Sequence, residues 1–408
     1  MDILITPSLL RGSVTVPASK SVAHRLIIAA ALAKGESVIH NLFPSKDILA
    51  TAEAMRALGA EITVEGDTAR IKGITEPPAK AVIDCGESGS TLRFIIPIAA
   101  ALGVKTTFIG HGKLPERPIT PYLEELPRHG AEFDYPGTMP FTLSGRLGAG
   151  EYRIGGDISS QFITGLLLAL SVTPGESRII LTSRLESRPY VDITADCLAR
   201  FGCTVTETED GFAVSGTGAL TPCECTVEGD WSQAAFFETA NSLGSSLEIN
   251  GLNVNSAQGD KKILEICKDI VYNKKGMRAP FELDCSDIPD LVPILSVLAC
   301  FSQGESRLTN AARLRIKESD RLAAVTKALC GIGGRVTEYE DMLVIRGVEE
   351  LAGGEAESFN DHRIAMAMAI ASTRCREPLL IRGAECVSKS YPGFWEEFRR
   401  LGGSFEEV

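Results

Sequence analysis

Leu58-Gly59-Ala60-Glu61-Ile62 is the first of five copies of one pattern: an apolar residue, Gly, a small residue, a polar residue and a second apolar residue. The later copies begin, in chain order, at His129, Phe201, Ile332 and Leu401, and His129 is the one polar first member. Their glycines lie 71, 72, 131 and 69 residues apart. A fixed period of this kind is typical of a duplicated folding unit. Because the longest gap spans about two periods, we expect a degraded sixth copy near Ile270–Gly276.

Each copy lies between a predicted helix and a predicted hairpin. The helix-like stretch Asp47–Leu58 precedes the first copy, and two short alternating strands, Glu61–Val64 and Ala69–Ile71, follow it. The other helix-like stretches are Tyr122–Arg128, Asp192–Phe201 and Ser319–Gly331. The repeated Gly suits the left-handed position just past a helix, where a Cβ is penalised. Six helix–hairpin units predict an α/β chain in two lobes of three units, with a crossover at Leu220–Cys225.

Composition excludes several classes of protein. With 408 residues, 44% of them hydrophobic, the chain has material for two cores. The apolar runs Phe162–Val172 and Leu291–Phe301 are too short to span a bilayer and predict buried helices. Met1–Arg11 shows no secretion signal, and eleven scattered cysteines favour reduced thiols, so we expect a cytoplasmic protein. A net charge of −12 argues against nucleic acid or an anionic membrane as partner.

Basic residues lie where several predicted helices begin. Ser19-Lys20-Ser21 opens a helix that carries Arg25, Gly86–Thr91 opens one that carries Arg93, and Asn360–Arg363 opens another. The Ser, Asp and Asn residues are expected to cap these helices, each worth about 1 kcal/mol. Capping does not explain the cations, which are disfavoured near a helix N-terminus. Clustered amides and added cations together predict a site for a small molecule with several negative charges.

A pair of similar segments opens two further helices. Gly156-Asp157-Ile158-Ser159-Ser160-Gln161 precedes the apolar run at Phe162, and Gly229-Asp230-Trp231-Ser232-Gln233 follows 73 residues later.

The sequence has partial matches to two nucleotide-binding motifs, and neither is complete. Lys20-Ser21 lacks the glycines of a P-loop, and Gly110-His111-Gly112 lacks the third glycine of a dinucleotide fingerprint. The sequence therefore gives no support to ATP or NAD chemistry.

Eight short motifs occur in a distinctive order. They are Ser19-Lys20-Ser21-x-x-x-Arg25, Gly86-x-x-Gly89-x-x-x-Arg93, Glu116-Arg117-Pro118, Ser159-Ser160-Gln161-Phe162, Ser187-x-Pro189-Tyr190, Lys317-Glu318-Ser319-Asp320-Arg321, Asn360-Asp361-His362-Arg363 and Lys389-Ser390-Tyr391-Pro392. The series resembles the 5-enolpyruvylshikimate-3-phosphate synthase family over nearly the whole chain. Each motif alone is weak, but the ordered set is specific.

The resemblance implies a two-lobed inverse α/β barrel with six repeated βαβαββ-type units, three per lobe. The first strands of that family belong to the second lobe, which places one lobe at residues 15–221 and the other at 1–14 plus 222–408. It also implies the transfer of the enolpyruvyl group of phosphoenolpyruvate to the 5-hydroxyl of shikimate 3-phosphate, in a cleft between the lobes. We expect no metal or organic cofactor, and we expect a monomer.

The resemblance also implies roles for individual residues. Phosphoenolpyruvate would be held by Lys20, Gly89, Arg117, Gln161, Arg321, Arg363 and Lys389. Shikimate 3-phosphate would be held by Lys20, Ser21, Arg25, Ser159, Ser160, Gln161, Ser187, Asp290 and Lys317. Asp290 would act as base at the reacting hydroxyl, and Glu318, with Lys389 as rival, would move protons at the methylene carbon. Coupled neighbours share their titration, so the sequence does not apportion these proton roles.

Two other functions stay open at this stage. One is the related enolpyruvyl transferase that acts on UDP-N-acetylglucosamine, where many members carry a reactive Cys at the position of Gly112. The other is a non-catalytic anion-binding module on the same fold.

Glu87 and Arg313 depart from the family pattern, since Asn is frequent at both positions. A carboxylate at Glu87 beside an anion site is unexpected.

Overall fold

The computed structural model describes residues 1–269 and 278–408. The chain divides into two compact units. We call Ala18–Glu228 the central unit, and Met1–Pro17 together with Gly229–Val408 the terminal unit. The predicted sixth copy of the glycine pattern, near Ile270–Gly276, lies outside the described residues. In the described ranges no helix is long and apolar enough to cross a membrane.

The described residues form 22 strands and 12 α-helices. The strands are β1 Ile3–Thr6, β2 Arg11–Thr15, β3 Glu36–His40, β4 Glu61–Glu65, β5 Thr68–Lys72, β6 Lys80–Asp84, β7 Lys105–Ile109, β8 Ala131–Asp134, β9 Phe141–Gly145, β10 Glu151–Ile154, β11 Gly175–Leu181, β12 Val205–Thr208, β13 Gly211–Gly216, β14 Glu224–Thr226, β15 Ser246–Asn250, β16 Glu282–Asp284, β17 Glu305–Thr309, β18 Arg335–Glu338, β19 Leu343–Arg346, β20 Gly354–Glu357, β21 Leu379–Arg382 and β22 Ser404–Glu407.

The helices are α1 Lys20–Ala31, α2 Lys46–Ala57, α3 Gly89–Leu102, α4 Thr120–Glu125, α5 Ser160–Leu170, α6 Arg188–Arg200, α7 Trp231–Ser242, α8 Ile263–Asp269, α9 Val292–Cys300, α10 Arg321–Gly331, α11 His362–Ala371 and α12 Phe394–Arg400. The predicted helix Tyr122–Arg128 is wrong in its second half, which is a 3-10 turn at Leu126–His129. Pro127 explains the change, because its missing N–H cannot continue an α-helical ladder.

The central unit repeats one sheet topology three times. Its four-stranded sheets have the orders β14-β3-β5-β4, β6-β7-β9-β8 and β10-β11-β13-β12. In each sheet the first two strands are parallel and the remaining pairs are antiparallel. One helix joins the parallel pair in the second and third sheets, and a second helix leads into the hairpin. The recurring element is therefore a βαβαββ unit.

The terminal unit contains the same element. Two sheets, β16-β17-β19-β18 and β20-β21-β1-β22, repeat the central topology. A third sheet, β15-β2, is a parallel pair among the described residues. The strand β1 completes the hairpin of the last repeat by pairing with β22. The duplicated unit predicted from the glycine period is thus present in both parts of the chain.

Within each repeat the two helices differ in burial. The first helices (α1, α3, α5, α7, α9 and α11) are buried over most of their length. The second helices, such as α2 and α6, bury a single face. The predictions of buried helices at Phe162–Val172 and Leu291–Phe301 are confirmed. Each first helix is therefore core, and its two ends are where polar groups must be satisfied.

The glycines of the repeated pattern end the second helices. Gly59, Gly130, Gly202, Gly333 and Gly402 all have positive φ, between 79° and 110°. This confirms the left-handed conformation that the sequence predicts. In each of these repeats the chain therefore turns from the second helix into the following strand at this glycine.

The division between the units differs from the predicted boundaries by a few residues. Thr15 belongs to the terminal unit, because it pairs with Asn250 at the end of the β2–β15 ladder. Residues 222–228 belong to the central unit, because β14 pairs with β3. Strand pairing across a long sequence separation, which composition does not reveal, sets both points.

Replacing Gly130 by Ala should lower the free energy of unfolding by roughly 1–3 kcal/mol. Gly130 has a φ of +99°, and a Cβ there would lie 2.6 Å from the carbonyl oxygen of Arg146. Gly148→Ala is the matched control, since nothing lies within 4 Å of its added Cβ. Urea unfolding curves of both variants measure the effect. Equal midpoints for the two variants would contradict the role assigned to the turn.

Candidate functional site

Several predicted site residues of the central unit lie at the first turns of its buried helices. Ser19 caps α1 through Val22 N at 3.5 Å, and Ser88 caps α3 through Thr91 N at 3.2 Å. Ser159 caps α5 through Gln161 N at 3.3 Å. The predicted capping is confirmed at all three. The remaining first-turn amides and the positive end of each helix favour an anion.

Lys20, the first residue of α1, forms an ion pair with α2. Its Nζ lies 2.9 Å from Oδ2 of Asp47, and both side chains are largely buried. Sequence analysis did not assign a role to Asp47. The sequence showed Asp47 in the first turn of a helix, but an acidic residue is common there for dipole reasons alone, so this position did not indicate an ion pair. The pair fixes the direction of the Lys20 side chain.

Arg25 joins three helices of the central unit. Its guanidinium donates to Thr194 Oγ1 at 2.7 Å, to Thr164 Oγ1 at 3.2 Å and to two backbone carbonyls, those of Ser21 and Tyr190. These acceptors are all neutral, and Arg25 is 2% exposed. Burial lowers its pKa to about 10, so it remains charged at neutral pH. The central unit thus holds a buried positive charge that its hydrogen-bonded acceptors do not neutralise.

A hydrogen-bonded bridge connects the N-termini of α3 and α5. Arg93 Nη1 donates to Gln161 Oε1 at 2.7 Å, and Gln161 Nε2 donates to Ser90 Oγ at 2.9 Å. The Arg93 guanidinium also lies over the Phe162 ring, 5.0 Å from its centroid. Two helix starts that the sequence singled out separately are therefore neighbours in space.

Gly89 and Arg117 are also brought together. A Cβ on Gly89 would lie 2.5 Å from Arg117 Nη1, so the guanidinium rests directly on the backbone at the start of α3. On the other side of this turn, Glu87 lies against the same loop. A Cβ on Gly112 would be 2.7 Å from Glu87 Oε2. The unexpected carboxylate thus faces the loop that carries Arg117.

Ser187 has a backbone conformation that is uncommon for a residue other than glycine. It stands at the start of α6 with a φ of +54° and makes no side-chain cap. A non-glycine residue in this region is uncommon and often marks a functional position. Ser160 lies in the first turn of α5 and is 5% exposed.

The predicted residues of the terminal unit form one compact cluster around Asp290. Asp290 lies in a 3-10 turn, Pro289–Leu291, directly before α9. Its Oδ1 accepts from Arg321 Nη1 at 2.8 Å, and its Oδ2 accepts from Arg363 Nη2 at 2.7 Å. Burial by itself raises the pKa of Asp290. The charges of Arg363, Lys317 and Arg321 outweigh burial and hold that pKa well below its usual range.

Arg321 is shared by three carboxylates. Besides Asp290 it donates to Glu318 Oε2 at 2.6 Å and to Asp361 Oδ2 at 2.8 Å, and it is 1% exposed. Burial lowers the pKa of Arg321, but Asp361, Glu318 and Asp290 together raise it well above its ordinary value. Asp361 also caps α11 through Arg363 N. The sequence indicated the cap but not this ion pair.

Two lysines complete the cluster. Lys389 lies at the end of a 3-10 turn, and its Nζ donates to the carbonyl of Asn360 at 2.9 Å. Lys317 is half-buried directly before Glu318. Burial lowers its pKa to about 8, although Asp290 acts in the opposite direction. Lys317 is therefore an amine close to its titration point near neutral pH.

Asp260 is a further acid that sequence analysis missed. It is 3% exposed, and it accepts a hydrogen bond from Ser232, in the near copy of the Ser159–Gln161 segment. Burial raises its pKa to about 7, and the negative charge of Asp290 acts in the same direction. Ser232 is thus engaged by the protein's own carboxyl group.

The predicted site residues therefore fall into two groups. The central unit holds Lys20, Ser21, Arg25, Gly89, Arg117, Ser159, Ser160, Gln161 and Ser187. The terminal unit holds Asp290, Lys317, Glu318, Arg321, Arg363 and Lys389. Within 1–269 and 278–408, no three His, Cys, Asp or Glu side chains are grouped as metal ligands. Arg313, the other departure from the family pattern, is buried and donates to the carbonyl of Ser286.

Comparison with known proteins decides the family. The sequence model of the family EPSP synthase (3-phosphoshikimate 1-carboxyvinyltransferase) matches residues 5–398. The chain belongs to the EPSP synthase family. A 3-phosphoshikimate 1-carboxyvinyltransferase of Clostridium kluyveri is 46% identical, over 99% of this chain and 98% of its own length. One of Clostridium perfringens is 45% identical, over 98% of both chains.

A solved structure gives the same result. EPSP synthase of Acinetobacter baumannii superposes with a TM-score of 0.82 at 27% identity, over 100% of both chains. The family resemblance inferred from the eight ordered motifs is therefore confirmed, as is the predicted class of fold.

Lys317 should react with an amine-directed acylating reagent at lower pH than ordinary lysines do. With a pKa of about 8, about a tenth of its side chains are neutral at pH 7, compared with fewer than about one in a thousand for a lysine of pKa 10.4. Peptide mass spectrometry across pH 6–10 measures the rate at each lysine. We expect the Lys317 rate to level off above pH 9, because the amine is then fully deprotonated.

Lys317→Arg is the control, since it keeps a positive charge and should remove the early labelling. A Lys317 rate that still climbs in proportion to hydroxide between pH 9 and pH 10 would contradict the lowered pKa.

Proposed function

We propose that the protein is a 3-phosphoshikimate 1-carboxyvinyltransferase. It transfers the enolpyruvyl group of phosphoenolpyruvate to the 5-hydroxyl of shikimate 3-phosphate and releases phosphate, a step of the shikimate pathway to aromatic amino acids. The observation that carries the proposal is the grouping of the motif residues. In a chain of the EPSP synthase family, one group joins cations to helix N-termini, and the other surrounds a carboxylate with guanidinium groups.

The central unit supplies binding groups for anions. Both substrates carry a phosphate and a carboxylate, and Lys20, Arg25 and Arg117 provide positive charge beside the capped ends of α1 and α3. Ser159, Ser160, Gln161 and Ser187 add hydroxyl and amide donors for shikimate 3-phosphate. Because the acceptors bonded to Arg25 are neutral, a bound anion would supply the counter-charge that the fold omits.

The terminal unit supplies the acid–base groups. In the reaction, C3 of phosphoenolpyruvate gains a proton while the 5-hydroxyl attacks C2, and the tetrahedral adduct then loses phosphate and a methyl proton. Asp290 is ionised at neutral pH, as a proton acceptor must be. Its low pKa makes it a weak base in the free protein. Anions bound to Arg363 and Lys317 would offset those cations, which raises the pKa of Asp290 toward a useful value.

Glu318 and Lys389 are the candidates for proton transfer at the methylene carbon. Glu318 is fixed by Arg321, which at the same time orients Asp290. One guanidinium thus holds both proposed proton-transfer carboxylates. Arg321, Arg363 and Lys389 are proposed to contact phosphoenolpyruvate, and Lys317 to contact shikimate 3-phosphate.

The enzyme acts in the cytoplasm as a monomer, without a metal, an organic cofactor, nucleic acid or a membrane. The net charge of −12 supports the last two points, because it repels polyanionic surfaces. The chemistry supports the absence of a cofactor, since proton transfer and electrostatic stabilisation are sufficient for it.

Release of phosphate from phosphoenolpyruvate tests the proposed function. We expect release with shikimate 3-phosphate as acceptor and none above background with UDP-N-acetylglucosamine. Release with the nucleotide sugar alone would assign the protein to the other enolpyruvyl transfer reaction. Binding of both substrates without phosphate release would indicate the non-catalytic module.

Glu318→Gln should lower kcat by roughly 10²–10⁴-fold and change the KM of either substrate only a few-fold. The amide retains a hydrogen-bond acceptor for Arg321 but cannot exchange a proton with the substrate. Glu338→Gln is the matched control, because Glu338 also accepts from an arginine, Arg315, at 2.6 Å. Steady-state kinetics of both variants measure the difference, and near-normal turnover of Glu318→Gln would remove Glu318 from the acid–base role.

A further inference from the structure

Four buried polar side chains form a chain of hydrogen bonds near Lys20 and Gly89, two of the predicted phosphoenolpyruvate ligands. His24 Nδ1 lies 2.7 Å from Thr51 Oγ1, and Thr51 Oγ1 lies 2.7 Å from Thr91 Oγ1. Thr91 Oγ1 then donates to Ser88 Oγ at 2.8 Å. All four residues are at most 1% exposed. The chain connects α1 to α2, and α2 to the N-terminus of α3.

One helical turn away from this chain, an ion pair joins the same two helices. Lys20 and His24 are four residues apart on α1, and Asp47 and Thr51 are four apart on α2. The Lys20–Asp47 ion pair and the His24–Thr51 hydrogen bond therefore join the same two helices in successive turns. Ser88, at the other end of the chain, directly precedes Gly89.

His24 is neutral in this environment. Burial lowers its pKa well below the ordinary value, and the charges of Lys20 and Arg25 act in the same direction. Its Nε2 is buried without a hydrogen-bond partner among the described residues. A neutral imidazole that donates from Nδ1 would orient the successive hydroxyls toward Ser88, the cap of α3.

Stability alone does not account for a polar chain here. An intramolecular hydrogen bond contributes only about 1 kcal/mol net, and replacing both partners by apolar groups of the same shape is often neutral. What apolar groups do not supply is direction, since hydrogen bonds fix the distance and angle between the elements they join. Direction matters at Gly89 because a Cβ there would lie 2.5 Å from Arg117 Nη1, so the guanidinium closely approaches the first turn of α3.

We propose that the chain His24–Thr51–Thr91–Ser88 is a positioning device that fixes the spacing between Lys20 and Gly89 and thereby sets the affinity for phosphoenolpyruvate. The inference rests on the proposed function. None of the four residues is a catalytic residue, because they act through Lys20 and the first turn of α3. Of the groups predicted to hold shikimate 3-phosphate, Lys20 alone belongs to this pair, so its affinity should depend on the chain much less than that of phosphoenolpyruvate.

Kinetics of His24 and Thr51 variants test the proposal. His24→Phe and Thr51→Val should each raise the KM of phosphoenolpyruvate about tenfold, with kcat within about threefold, since small misplacements of ligands are costly. The dissociation constant of shikimate 3-phosphate should stay within about twofold. The double variant should match the single ones, because both changes break the same bond. His24→Asn, which places an amide near Nδ1, should restore most of the affinity.

Thr173→Val is the matched control. Thr173 is a buried threonine of the central unit whose hydroxyl donates to the Ala169 carbonyl, away from the chain. The same Thr-to-Val change there should alter thermal stability at most and leave both substrate affinities as in the wild type. Thermal melts of all variants identify any that fold poorly, and the comparison is then made among those with similar midpoints.

Hydrogen exchange at the first-turn amides of α3 gives a readout without catalysis. His24→Phe should speed exchange there relative to the Thr173→Val control. Unchanged exchange together with an unchanged phosphoenolpyruvate KM would overturn the positioning role, as would an equal loss of affinity for both substrates. If the wild-type protein releases no phosphate but the α3 amides of His24→Phe still exchange faster than those of Thr173→Val, the proposed function is overturned. The positioning of α3 is then still established.

Discussion

Burial of the first helix in each repeat is the constraint on which the site depends. A helix surrounded by core on its flanks can meet charged ligands only at its ends, where backbone N–H groups lack partners in the helix. The caps Ser19, Ser88 and Ser159 satisfy part of this requirement. The rest is available to an anion. The same feature that organises the core, repetition of a buried helix, therefore also creates binding positions for negative charge.

The two units handle charge in opposite ways. In the central unit, Arg25 is surrounded by hydroxyls and carbonyls, and the fold carries the cost of an uncompensated buried charge. In the terminal unit, Arg321 is bonded to three carboxylates, so its charge is neutralised within the protein. The first arrangement favours binding of an external anion. The second holds acids and bases in fixed orientations and tunes their proton affinities through shared partners.

Local features of the fold were predictable from the sequence. The glycine pattern placed the ends of the second helices, because a left-handed residue has a strong preference for Gly. Apolar content indicated which helices are buried. The start of α10 was less predictable: Asp320 rather than Ser319 precedes the helix as its cap. The lobe boundaries were displaced because pairing of β2 with β15 and of β14 with β3 links residues far apart in the chain.

The partners of the site residues could not be predicted in the same way. The ordered motifs indicated Lys20 and Arg321, but not Asp47 or the threefold sharing by Asp290, Glu318 and Asp361. Such pairs form between different elements of the fold, and a single sequence carries no signal of their distance. His24, Thr51 and Thr91 have ordinary roles in helices, and their connection becomes visible only when three helices are packed together.

The pairing of β1 has a consequence for biosynthesis. This strand, within the first six residues, lies between β21 and β22. A ribosome makes β1 well before its two neighbours in the sheet, because more than 370 residues lie between them in the chain. Residues 18–228 are complete much earlier and contain all the strands of their own three sheets. The nascent chain is thus expected to fold its central unit while β1 is still unpaired, and the sheet that contains β1 is completed only once β21 and β22 have been made.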